Sequence, residues 1–64
     1  MLTNSRDIIR RLEREGWTLL RVTGSHHVFR NPRTGEKFVV PHPKKDLGKG
    51  LVRAIYKAAG WMPD

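Results

Sequence analysis

Between residues 5 and 15 the apolar positions Ile8, Ile9 and Leu12 recur at the spacing of one helix face, and Asn4 or Ser5 stands ready as N-cap. Gly16 is placed to end such a helix in a left-handed turn, so the pattern predicts a helix over Ser5 to Glu15. Arg6, Arg10 and Arg14 step by four and line one of its sides. The period then changes. Trp17 to Thr23 ("WTLLRVT") is rich in β-formers, Gly24-Ser25 is a turn, and His26 to Asn31 ("HHVFRN") is a second strand. Asn31 to Gly35 ("NPRTG") has the proline and glycine of a hairpin connection, and Glu36 to Pro41 is a third strand. Pro41-His42-Pro43 excludes helix, and a polar loop leads to a second helix from about Gly50 to Ala59, stopped by Gly60. Val52, Ile55, Tyr56 and Ala59 form its apolar stripe, while Lys49, Arg53 and Lys57 give it a basic side. The expected fold class is α+β: α-β-β-β-α, a three-stranded antiparallel meander with two helices on one face, as a single domain over residues 1–64.

A chain of 64 residues buries one thin core and has no room for a deep pocket, so a working site is expected on the surface or in a groove. Thirteen Lys and Arg against six Asp and Glu leave a formal charge of +7, a strong positive field for this length. The natural partner is a polyanion, with nucleic acid ahead of an anionic membrane surface and an acidic protein compatible with either. The plain alternative is a well-solvated basic face. With no cysteine, disulfides and thiolate metal sites are excluded. No apolar run approaches a membrane span, and Met1 to Asn4 lacks the apolar core of a signal peptide, which makes the cytoplasm the default address.

Adjacent strand residues point to opposite faces, so His26 and His27 diverge. Phe29 belongs inside and Arg30 outside, which sends His27 inward beside Phe29 and His26 outward with Val28 and Arg30. Val28 fits an outward position poorly, and a bulge near the strand start would reverse the assignment. The hairpin sets His26 roughly opposite Pro41, so Gly24, Ser25, His26, His42, Lys44 and Lys45 are expected at one exposed corner. Cleaving RNA requires a group to take the 2′-hydroxyl proton and cations to neutralise charge on the phosphorane, and this corner holds both kinds. Each residue also has a structural reading: a hydrogen-bonded strand histidine, a core His27, an idle loop His42, a solvated lysine pair. Zinc held by His26, His27 and His42 is not expected, because the two strand histidines diverge and no carboxylate or thiolate completes the set.

Four stretches carry a resemblance: "LEREGW" (Leu12 to Trp17), "VTGSHHVFRNP" (Val22 to Pro32), "VVPHPKKDLGKG" (Val39 to Gly50) and "VRAIYKAAG" (Val52 to Gly60). On these, and over nearly its whole length, the chain resembles the HicA family of toxins from prokaryotic toxin–antitoxin pairs. The resemblance implies a fold similar to double-stranded-RNA-binding domains. It also implies an endoribonuclease that cleaves messenger RNA without a cofactor, monomeric alone and neutralised in a hetero-oligomer by a HicB-type antitoxin. The family's catalytic histidine follows Gly-Ser and maps to His26, with Gly24 and Ser25 as the supporting turn. In some relatives it sits one place later, which keeps His27 as the rival. Lys44, Lys45, Arg30 and His42 are the expected phosphate contacts. One departure is Leu51, where relatives often have Thr or Ser after the glycine that opens the second helix. A non-catalytic RNA-binding module and an antitoxin-binding adaptor are the competing functional readings.

Overall fold

The computed structural model describes residues 1–61, in the order α1 (Ser5–Arg14), β1 (Thr18–Thr23), β2 (His26–Arg30), β3 (Lys37–Pro41) and α2 (Lys49–Ala59). The strands form one antiparallel sheet in the order β1-β2-β3, so the architecture is the α-β-β-β-α meander expected from the sequence. α1 is capped by Asn4, whose side chain accepts the backbone N–H of Arg6. Ser5, Ile8 and Leu12 make its buried stripe, and Val52, Ile55 and Tyr56 make that of α2. Both stripes close on Phe29 of β2 and Val40 of β3, which places the two helices on one sheet face.

Element ends differ from the sequence pattern by a residue, for local reasons. β1 starts after Trp17 because the Trp17 N–H bonds back to the Leu12 carbonyl, and its indole tilts against Phe38 at 4.7 Å instead. β2 stops at Arg30 because Asn31 turns the chain: its side chain accepts the Arg33 N–H and its carbonyl the Gly35 N–H. α2 opens at Lys49, with Gly48 in the N-cap position and no side-chain cap bond. Asp46 accepts the Gly48 N–H instead, so the loop does part of the work that a Thr or Ser cap would do. At its other end, Trp61 packs edge-on against Tyr56 and donates its indole N–H to Glu15 at 2.7 Å. The Arg11 guanidinium lies 4.2 Å from the Trp61 ring centre, which pins the end of α2 to the last turn of α1.

Two burial features depart from simple alternation. Val28 points away from the helices and was expected to be exposed, yet it is buried, because it lies in the middle strand between Arg21 and Val39. β1 is exposed along its whole length and contributes nothing to the core. The helices roof β2 and β3, so Leu19 and Val22, although on the helix side of the sheet, overhang it. Leu20 sits at a bulge between Leu19 and Arg21 and is also exposed.

Candidate functional site

The site lies where the β1–β2 turn, the end of β3 and the start of α1 converge. Gly24 at φ 59° takes the first central position of a two-residue hairpin turn, which demands a residue free to adopt positive φ. Ser25 follows it, and its carbonyl accepts the His42 N–H at 2.7 Å, extending the β2–β3 ladder one step past Pro41. His26 pairs with Pro41 and Thr23, as the hairpin geometry predicts, and is exposed. His27 pairs with Val22 and Val40 on the opposite face and is only half-buried, because its β1 neighbour lies under no helix.

The expected corner therefore needs a correction. The ring that meets His42 belongs to His27: their centroids are 5.0 Å apart and the planes 89° apart, edge to face. The pleat puts His26 on the other side of the sheet from this pair. A place on the helix side does not make a residue core, because the roof ends before the end of the sheet, and His27 occupies the open margin. His27 Nδ1 lies 3.4 Å from the Ser25 carbonyl. A carbonyl can only accept, so this long contact favours a proton on Nδ1 and leaves Nε2 with its lone pair.

His42 is held from below. Its Nδ1 is 2.7 Å from the Ser5 hydroxyl, and the same hydroxyl accepts the Lys44 N–H at 2.8 Å. The Ser5 N–H in turn donates to the Lys44 carbonyl at 2.9 Å, and the Leu47 N–H to the Thr3 carbonyl at 3.0 Å, so the loop after β3 is stitched to the start of α1. Ser5 is the one buried polar side chain among the described residues. The sequence reading missed it as a site residue, taking it only as a possible cap. The available signal was its position: it lies three residues before Ile8 and seven before Leu12, which puts a hydroxyl on the apolar stripe.

Lys44 and Lys45 are exposed and line an open groove of about 220 Å³ with Asn4, Ser5, Arg6 and Pro43. Arg6 thus joins the two lysines, a third cation that linear spacing had assigned only to the arginine row of α1. Arg30 lies at the far end of β2, roughly 10 Å along the strand from His27, paired with Thr18 and Lys37, and is not brought to this cluster.

Three antiparallel strands roofed by two helices, with paired imidazoles beside a cationic groove at one end, define a small α+β domain of the double-stranded-RNA-binding-domain type. The family model of the HicA toxin of bacterial toxin–antitoxin systems matches residues 5–61, and the chain belongs to that family. No curated protein matches it. No helix among the described residues is long and apolar enough to cross a membrane.

Proposed function

We propose that this toxin is an endoribonuclease acting on messenger RNA in the cytoplasm, with His27 as the general base and Lys44, Lys45 and Arg6 holding phosphate. The observation that carries the reading is the placement of a half-exposed imidazole, with no partner on Nε2 among the described residues, at the end of the sheet next to a cationic groove. In this scheme Nε2 of His27 takes the 2′-hydroxyl proton as that oxygen attacks phosphorus. The new bond is 2′-O–P, the bond that breaks is P–5′-O, and the departing 5′-oxygen takes a proton from solvent. Ammonium and guanidinium groups of the groove offset the charge that builds on the phosphoryl oxygens. Every atom needed comes from RNA, water and the side chains named.

His27 is preferred to His26, which the family motif favoured by position after Gly-Ser. His26 stands on the opposite face, away from His42 and its anchor. The scheme gives products ending in a 2′,3′-cyclic phosphate. Purified protein should cleave a single-stranded RNA to such ends and leave the same RNA intact at a position carrying 2′-deoxyribose. RNA bound but uncut under all conditions would favour the non-catalytic binding module.

A HicB-type antitoxin as inhibitor is supported by β1. Leu19, Leu20 and Val22 expose apolar surface, and aliphatic side chains offer bases no stacking platform, so a protein is the better occupant. A second copy would bring together two molecules that each carry +7, whereas an acidic partner meets complementary charge. Val22 is paired with His27, so a protein seated on β1 also obstructs the base.

A further inference from the structure

The Ser5 hydroxyl has two partners among the described residues, the Lys44 N–H and His42 Nδ1. An N–H can only donate, so Oγ accepts from Lys44. The one hydroxyl hydrogen then has a single acceptor in reach, Nδ1 of His42, and Ser5 is too buried to turn it toward water. That bond leaves Nδ1 unprotonated and the ring proton on Nε2. The two imidazoles of the site thus present opposite functions: a lone pair on His27 Nε2 and an N–H on His42 Nε2. The two ring centres stand 5.0 Å apart, with His42 bonded to Ser5 of the Lys44–Lys45 groove.

We propose that His42 is a second catalytic residue, held by Ser5 as the Nε2–H tautomer and donating that hydrogen to a non-bridging oxygen of the scissile phosphate while His27 takes the 2′-hydroxyl proton. This rests on the reading of His27 as the base. No proton is transferred by His42: its N–H bond stays intact and the hydrogen bond strengthens as charge builds on the phosphorane, which lowers the barrier without binding the ground state equally well. Ser5 is the positioning residue. It selects the tautomer and fixes the ring plane, and through the Lys44 backbone it holds the neighbouring cation on the same anchor.

Two measurements test this. In the free wild-type protein at a pH of about 8, above the ordinary titration range of imidazole, two-bond nitrogen–proton NMR correlations should show His42 with the proton on Nε2, and Ser5→Ala should lose that bias. Finding His42 with its proton on Nδ1 in the wild type overturns the proposal whether or not any variant folds. The second measurement is single-RNA cleavage. His42→Ala should lower kcat about 100-fold with KM within a few-fold, the loss typical of one transition-state hydrogen-bond donor. His42→Gln, which places an amide N–H near the former Nε2, should recover part of the rate, and His42→Asn, whose amide lies near the former Nδ1, should not. Wild-type cleavage by His42→Ala, or equal rescue by Gln and Asn, contradicts it. If His27→Ala still cleaves, the reading of the base fails instead, and the tautomer of His42 distinguishes the two failures.

Discussion

Phe29 and His27 share a strand face two residues apart yet have different surroundings, and substitutions should separate them. Phe29 is fully buried between the helices, so Phe29→Ala should cost about 3–5 kcal/mol in a denaturant melt, enough to unfold much of so small a domain. His27 sits at the open margin, and its replacement should cost far less stability than that. Gly24 is the other residue with little tolerance. A Cβ there meets no atom of the described residues within 4 Å, but φ 59° is strained for any L-residue, so Gly24→Ala should lower stability by about 1–2 kcal/mol through backbone strain alone. A melt unchanged from wild type would mean that the turn relaxes to another form.

At the level of elements, β1 is the piece whose role the fold does not exhaust. A six-residue strand with both faces exposed, and with β2 as its only sheet neighbour among the described residues, gains little from the domain's own core. Leu19→Lys combined with Leu20→Lys should therefore leave the melting temperature within a few degrees of wild type and RNA cleavage intact, while weakening capture of the co-expressed HicB-type antitoxin by at least tenfold. Undiminished binding would place the antitoxin elsewhere. The strands and helices themselves were legible locally: β-formers bounded by turn residues in the β runs, and the stripes Ile8–Leu12 and Val52–Ala59 in the helices. Pleat parity put His27 and Phe29 on one side and His26 on the other. What parity lacks is the extent of the roof. Whether a helix-side residue is core or margin depends on where α1 and α2 cross the sheet, which no local pattern encodes. Ser5 stayed hidden for a similar reason: its partners His42 and Lys44 are 37 and 39 residues away.

On the scale of the whole molecule, +7 on 64 residues would make the proposed RNA binding a counterion-release process. Affinity should fall steeply between 50 and 200 mM salt, and Lys44→Ala with Lys45→Ala should flatten the log–log slope by about 1.4 units on single-stranded RNA if each lysine neutralises one phosphate. Salt-independent affinity would leave the basic surface to solubility or to the antitoxin. The proposal that the imidazole facing His42 does the chemistry draws on the fold, the charge and the stitched loop together. Cleavage of a single RNA by wild type, His26→Ala and His27→Ala, each at matched folded concentration verified by circular dichroism, tests that point directly. The expected result is a loss of about 100-fold or more for His27→Ala, within the usual range for a general base, with His26→Ala cutting at close to the wild-type rate. An inactive, folded His26→Ala beside an active His27→Ala would contradict it and return the role to the residue that follows Gly-Ser.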